Sequence, residues 1–302
     1  MGGAAIRGVG SEAPPIRTHA RVVAHTVEGS GWKLLLEVPG WPGAQPGQFM
    51  MLGPGAESAV ARRDPLLPRP MAVYRDLSDR DAGGADDAAG ADDAVGPDER
   101  GRARVEVLYR VVGRGTALLA EAVVGQSLSI VGPLGRGFPI EAGDAPALLI
   151  GGGTGIASLY ELAAGLVWAG RPVQVALGAR SQADLIGRRD FEALAGVELV
   201  CTTEDGSFGR RGRVTEALAE SLTRFGGRAA VFACGPTPMM RAAAELAQFH
   251  GADCWVSLEN PMACGFGVCL GCAVPRREGG FSLVCRAGPV FAAAEIDWEG
   301  LP

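Results

Sequence analysis

APALLIGGGTGIASLYELAAGLVWAG, residues 145–170, decides the fold. An apolar run ends in Gly151, Gly152, Gly153 and Gly155, and a helical pattern follows, so the stretch reads strand, glycine turn, helix. The same grammar repeats toward the C-terminus. RPVQVALGARS (171–181) reads as a strand, ADLIGRRDFEALAG (183–196) as a helix and VELVCTTEDG (197–206) as a strand. RRGRVTEALAESLTRF (210–225) then reads as a helix, AAVFACGP (229–236) as a strand and TPMMRAAAELAQFHG (237–251) as a helix. Such alternation predicts a parallel sheet with helices on both faces.

Upstream the pattern is different. RVVAHTVEG, WKLLLEVPG, GQFMMLGPG, PMAVYRD, ARVEVLYRVVG and SLSIVGPLG are short strand-like runs with glycine turns. They predict a small antiparallel barrel. Residues 76–102, DLSDRDAGGADDAAGADDAVGPDERGR, interrupt it with low-complexity Ala/Gly/Asp that has too little apolar surface to fold. This insertion is expected to be a mobile hairpin loop, with an acidic docking patch as the sharper alternative. The expected organisation is a flexible leader (1–16), a barrel (17–142), an α/β nucleotide domain (143–252) and a small cysteine-bearing C-terminal domain (253–302).

Composition narrows the function. The chain has 302 residues, is 47% hydrophobic and carries a net charge of -6. It has no basic footprint for nucleic acid, no apolar run long enough for a bilayer and no signal peptide at its start. Seven cysteines without a secretion signal place it in a reducing compartment, with cytoplasm as the default.

Four of those cysteines carry the chemistry. In PMACGFGVCLGCAVPRREGGFSLVCRAGPVF (261–291), Cys264, Cys269, Cys272 and Cys285 stand as C-x4-C-x2-C-x12-C. That is the plant-type ferredoxin spacing for a 2Fe–2S cluster. Gly265, Gly267 and Gly271 let the loop bring N–H groups close to the sulfurs. GGFSLVC reads as a turn and strand that deliver the fourth ligand. A four-cysteine zinc site is the rival, but structural zinc usually shows two C-x2-C pairs. Cys201, Cys234 and Cys254 sit in apolar runs and read as buried core.

Two further signals point to nucleotides. The turn Gly151–Gly155, including Thr154, follows a buried strand, where helix N–H groups meet a pyrophosphate. The G-x-G-x-x-G fingerprint is not met, since Ile156 stands at its sixth position, and a purely structural turn is the competing reading. Arg180 ends the next strand and suits a 2′-phosphate or simply faces water, so NAD and NADP stay open. In the barrel, Arg69-Pro70-Met71-Ala72 opens a strand with an arginine suited to a phosphate, the competing reading being a plain surface charge. Leu108-Tyr109-Arg110, with Gly115 and Thr116, forms either a cofactor cradle or an ordinary strand-to-helix join.

In this order, RPMA, LYRVVGRGT, GGGTGIA, LGARS, TTEDGSFGRRGRVT, ACGPTPMM, VSLENPMACGFGVCLGC and CRAGPVF are similar to the ferredoxin-reductase-like flavoproteins. More closely, the chain resembles the electron-transfer subunits of class 1B dihydroorotate dehydrogenase, from about residue 17 to Trp298. The resemblance implies FAD on Arg69–Ala72, Leu108–Arg110, Gly115 and Thr116. It implies nicotinamide between the GGGTG turn and Cys234-Gly235-Pro236, with Cys234 the candidate side chain beside it and plain core packing as the equal alternative. It also implies an FMN-containing catalytic partner, two copies of each subunit, and a path from partner FMN through cluster and FAD to NAD in pyrimidine synthesis. Ala72 and Ala287 depart from that pattern, which usually has a hydroxyl residue and an aspartate there. Two alternatives stand beside this reading. One is a reductase component of a hydrogenase, oxygenase or transhydrogenase complex. The other is a non-catalytic, zinc-stabilised nucleotide-binding module.

Overall fold

The structure, a computed structural model, describes residues 14–53, 67–78, 102–141 and 143–301. The N-terminal unit comprises β1 (Ile16–Glu28), β2 (Gly31–Pro39), β3 (Phe49–Leu52), β4 (Arg69–Ala72), β5 (Arg75–Asp76), β6 (Arg102–Tyr109), α1 (Arg114–Ala120) and β7 (Ser127–Leu134). Its strands form one antiparallel sheet in the order β4-β3-β7-β1-β2-β6-β5. The segment 69–76 curls this sheet into a barrel. Its first half pairs with β3, and Tyr74 N–H then donates to Glu106 O of β6 at 2.9 Å. Alternate residues, among them Leu34, Leu36, Val105, Val107, Leu128 and Ile130, fill the interior. Each such side chain contributes about 1.5–3 kcal/mol when fully buried.

The second unit contains β8 (Ala147–Gly152), a 3-10 turn (Gly153–Ser158), α2 (Tyr160–Trp168), β9 (Val173–Ala179), α3 (Arg188–Ala193), β10 (Val197–Thr203), β11 (Arg210–Arg211), α4 (Val214–Phe225), β12 (Ala230–Cys234), α5 (Thr237–Phe249) and β13 (Asp253–Ser257). The chain ends with β14 (Ala273–Pro275), β15 (Phe281–Leu283), α6 (Val284–Ala287) and β16 (Val290–Ala292). The large sheet runs β11-β10-β9-β8-β12-β13-β16, parallel except for β16. Leu149, Val175 and Leu177 face α2, while Leu148, Ile150 and Val231 face α4 and α5. Both faces are therefore covered, as unbroken apolar strands require.

Several expectations shift. Ile16, placed in the leader, already opens β1, and residues 1–13 lie outside the described residues. Most of the 76–102 insertion also lies outside them. The helix expected from residue 183 is split by Gly187 at φ 74, leaving a 3-10 turn (Gln182–Asp184) and the short α3. Arg210 and Arg211 pair beside β10, so α4 begins only at Val214. The glycine turn winds as 3-10 before α2. Cys285 sits on the helical turn α6, beyond the strand that was to carry it. Finally, β13 and β16 hydrogen-bond into the nucleotide sheet, so a boundary at 252/253 cuts through that sheet.

Candidate functional site

A flavin-sized cleft lies between barrel and sheet. It has a volume of ≈430 Å³ and apolar walls that include Phe49, Met71, Leu108 and Leu258. Arg69, Pro70, Ala72, Tyr109, Arg110 and Thr116 also line it, so the barrel residues singled out from the sequence converge there, except Gly115. Gly115 contributes from behind: a Cβ there would fall on the Arg69 guanidinium. Arg69 Nη1 donates to Leu67 O at 3.0 Å, which holds its charge at one end of the cleft. These residues fit a flavin nucleotide, with an apolar slot for rings and a fixed cation for a phosphate. Arg69→Ala is expected to weaken FAD about 10- to 100-fold, the cost of a charge-assisted hydrogen bond. FAD retained after gel filtration measures this, and full retention would remove Arg69 from the site.

Two of the residues that line the cleft also serve the barrel itself. The Thr116 hydroxyl accepts the N–H groups of Val112 and Gly113 at 2.9 and 3.1 Å, so it shapes the loop into α1. Tyr109 is 2% exposed, and its hydroxyl lies 2.9 Å from His25 Nε2 in the barrel interior. Burial raises its pKa well above the ordinary value, so it stays a neutral donor.

The sheet order reverses between β8 and β12, and their connections leave on opposite faces. A crevice opens at such a switch point, outside the carboxyl ends of parallel strands. Here Gly152, Gly153, Thr154, Gly235 and Pro236 line it. A neighbouring cleft of ≈480 Å³ continues past Ala179, Arg180, Thr202 and Arg213. Thr202 Oγ1 is buried there without a hydrogen-bond partner. Gly151 and Gly155 are buried behind the turn, and a Cβ on Gly155 would meet the Cys234 carbonyl. These surroundings suit a dinucleotide.

Cys234 lies behind the crevice, fully buried. Burial, then the Glu259 carboxylate, pushes its thiol up to about 12 against hydrogen bonds from Ser158 and Ser257. Ser158, Ser257 and Glu259 themselves line the flavin cleft. Sequence reading passed over these three. Ser257 and Glu259, in the lead-in CWVSLE, sit at the carboxyl end of β13, where the switch-point rule would look for ligands. Of the other cysteines, Cys201 is buried and Cys254 half-buried.

An ion-pair network fixes barrel against sheet. Tyr74 OH donates to Asp190 Oδ2 at 2.6 Å, and Lys33 Nζ reaches the same oxygen at 2.5 Å. Asp184 accepts from Ser30 Oγ at 2.8 Å and pairs with Arg110 Nη2 at 2.8 Å. Burial opposes its ionisation, but the hydrogen bonds from Ser30 and Ser181 and the charges of Arg110 and Arg180 outweigh it. The Asp184 pKa is therefore depressed. A depressed carboxylate stabilises the fold above its unfolded pKa and loses that contribution as pH falls through the folded one. The melting difference between wild type and Asp184→Asn is thus expected to hold from pH 7 to about 4 and vanish only below. A difference that fades near pH 6 would contradict this.

The cysteine loop follows directly. Leu258–Met262 line the flavin cleft, and Cys264 comes two residues later. The loop packs on the barrel: a Cβ on Gly265 would lie 2.8 Å from Met51 Sδ. Gly265 and Gly267 take φ 82 and 88, whereas Leu270, not Gly271, supplies the third left-handed residue at φ 60. Burial opposes ionisation of Cys264, but N–H groups of Cys269, Phe266 and Val268 and the Cys269 thiol hold it down at about 6. Cys272 and Cys285 are buried with their sulfurs 3.2 Å apart. Burial and the Cys272 thiol push Cys285 up to about 12, opposed by the Gly267 N–H. Among the described residues no three Cys, His, Asp or Glu converge on a single ion. Paired thiolates, with N–H donors aimed at sulfur, fit a two-iron cluster, which takes two ligands on each iron.

Known proteins match this arrangement. Residues 259–297 match the iron-sulfur cluster binding domain of dihydroorotate dehydrogenase B, and residues 149–245 the oxidoreductase NAD-binding domain. The dihydroorotate dehydrogenase B (NAD(+)) electron transfer subunit of Geobacillus kaustophilus is 37% identical over 256 residues, covering 83% of this chain and 86% of that protein. This chain belongs to the family of dihydroorotate dehydrogenase B electron transfer subunits. The subunit of that name from Caldanaerobacter subterraneus subsp. tengcongensis is 43% identical over 196 residues, covering 64% of this chain and 75% of its own. Among solved structures, NADH-dependent reduced ferredoxin–NADP oxidoreductase, described for flavin-based electron bifurcation, superposes with a TM-score of 0.72 at 29% identity. It covers 99% of this chain and 92% of its own. The ferredoxin reductase of carbazole 1,9a-dioxygenase shares the fold at TM-score 0.59 and 21% identity, over 80% of this chain and 68% of its own. In this family member the cleft and the switch-point crevice share Thr154 and Glu259 on their borders, and Leu258–Met262 at the cleft lead into the cysteine loop.

Proposed function

We propose that this chain is the electron-transfer subunit through which a partner dihydroorotate dehydrogenase reduces NAD, using FAD and a 2Fe–2S cluster. The observation that carries the reading is continuity: Leu258–Met262 border the flavin cleft and run straight into the cysteine loop. A bound flavin exchanges hydride with a nicotinamide and single electrons with a cluster, so it belongs between them. The chain's own residues hold and order these carriers. Arg69 anchors at the barrel, Gly152, Gly153, Gly235 and Pro236 open the crevice, and Cys264, Cys269, Cys272 and Cys285 hold the irons. Two single electrons become a hydride only together with one proton, which the flavin would have to take up, and none of these residues is assigned to deliver it.

The cysteine loop also supports the partner. Phe266, Val268 and Leu270 are exposed by 54%, 73% and 62%, an apolar face beside the ligands. Val268→Glu is expected to weaken coupling to the partner at least tenfold through a desolvated charge, with NADH-to-dye reduction unchanged. Unaltered coupling would move the docking face elsewhere. Two copies of each subunit are the proposed assembly, to be weighed by mass measurement of the complex. No helix among the described residues is long and apolar enough to cross a membrane. Cytoplasm, where thiols stay reduced, is the proposed compartment, checked by cell fractionation.

The decisive experiment is anaerobic purification followed by iron, sulfide and flavin assay. NAD reduction by dihydroorotate is then measured with the partner added. Zinc in place of iron, or an absence of flavin, overturns the reading. A second reading is favoured by the reduced ferredoxin–NADP oxidoreductase that matches nearly the whole chain: a reductase subunit of another NAD(P)H-linked complex. Co-purification with a partner that is not a dihydroorotate dehydrogenase would select it.

A further inference from the structure

Arg110 follows the last residue of β6 and, of the residues bordering the three clefts, is the one common to all. Arg110 therefore stands at the junction of the flavin cleft and both parts of the dinucleotide crevice, with its guanidinium on the Asp184 side. A long side chain there has many rotamers, and Val111 and Val112 beyond it are exposed. What orients it comes from the other domain. Arg110 Nη2 meets Asp184 Oδ1 at 2.8 Å, and that oxygen also accepts Ser30 Oγ at 2.8 Å. Oδ2 accepts Ser181 Oγ at 3.1 Å and lies 4.0 Å from Arg180 Nε. Asp184 is 9% exposed and follows β9 on a short 3-10 turn. That turn is pinned by Ser30 N–H donating to Ala183 O at 2.7 Å. Two guanidiniums against one carboxylate leave the group positive, so it attracts an anion.

We propose that Asp184 is a positioning residue that draws Arg110 across the domain boundary and sets its guanidinium on the dinucleotide side of the junction, where it strengthens NAD binding. The proposal rests on the reading of the two clefts as FAD and NAD sites. The sharing of Arg110 makes the position matter: unrestrained, the same charge is free to turn to the flavin diphosphate.

The test uses the full chain loaded with FAD, with NAD and ADP-ribose binding followed by calorimetry. Asp184→Asn keeps the shape and removes the charge. It is expected to raise the Kd of both ligands about tenfold, the loss of one charge-assisted hydrogen bond. In NADH-to-dye assays KM rises by the same factor and kcat at saturation holds. Ser30→Ala removes the other inter-domain bond to the same oxygen and is expected to leave NAD affinity unchanged. In an Arg110→Met background the Asp184→Asn effect should disappear, because it acts through that guanidinium. If Asp184→Asn does not fold, Asp184→Ser serves the same comparison. The proposal is overturned if NAD binds the Asp184 variant as tightly as wild type, if Ser30→Ala weakens NAD equally, or if the effect persists without Arg110. A wild-type protein that takes up no FAD or NAD would instead sink the underlying site reading.

Discussion

Cys269→Ser is expected to abolish partner-coupled NAD reduction while leaving NADH-to-dye reduction near wild type. Changes to outer-shell partners of metal ligands alone cost about 10- to 100-fold, so losing a ligand costs more. Cys269 is the exposed member of the four, and its N–H and thiol both serve Cys264. Serine removes the sulfur the irons need and weakens the donor set that holds Cys264 down. The flavin cleft keeps its walls, because Leu258–Met262 and the barrel face are untouched. The measurement pairs dihydroorotate-dependent NADH formation with a dye assay on the same preparation. Coupled activity surviving in a protein shown to lack iron would refute the cluster route.

Gly155→Ala is expected to destabilise the fold far more than Gly152→Ala. A Cβ at Gly155 falls on the backbone of Cys234 and Gly235, where the turns after β8 and β12 touch, and backbone cannot turn aside. A Cβ at Gly152 meets Met239 Sδ at 2.7 Å, in a flexible side chain that can rotate, and the Pro236 ring at 3.1 Å, which need give only by a few tenths of an ångström. Overpacking of the first kind costs about 1–3 kcal/mol or more. For a unit this size each kcal/mol lowers Tm by about 2–4 °C, so a fall of several degrees is expected, with weakened NAD binding. The fall for Gly152→Ala should stay within a degree or two. Equal melting points for the two variants would mean that the turns are not packed as described.

Much of this was legible in the residues. The strand–turn–helix alternation from residue 145 foretold the parallel sheet, because apolar period and glycine placement are local properties. The cysteine spacing foretold the cluster loop for the same reason: a small loop must supply three ligands by itself. Boundaries were less legible. Gly187 broke one helix and Gly212 delayed another, since a φ of 139 at Gly212 is a backbone choice that helix propensity does not register. Thr116 was read as either a cofactor contact or a join into a helix, and the two look alike in sequence: its hydroxyl closes the loop into α1 while the residue borders the cleft.

Spacing, which acts over a few residues, was enough to name the cluster chemistry, whereas the glycine turn and the Arg69 strand each kept a purely structural alternative until the family resemblance was added. Juxtaposition belonged to the tertiary structure alone. Arg110 and Asp184 are 74 residues apart in the chain, yet their side chains meet at 2.8 Å. Ser158, Cys234 and Ser257 come together only because β8, β12 and β13 lie side by side. The order of strands in a sheet follows from how its two faces bury apolar area over the whole domain, and no local stretch of sequence carries that sum.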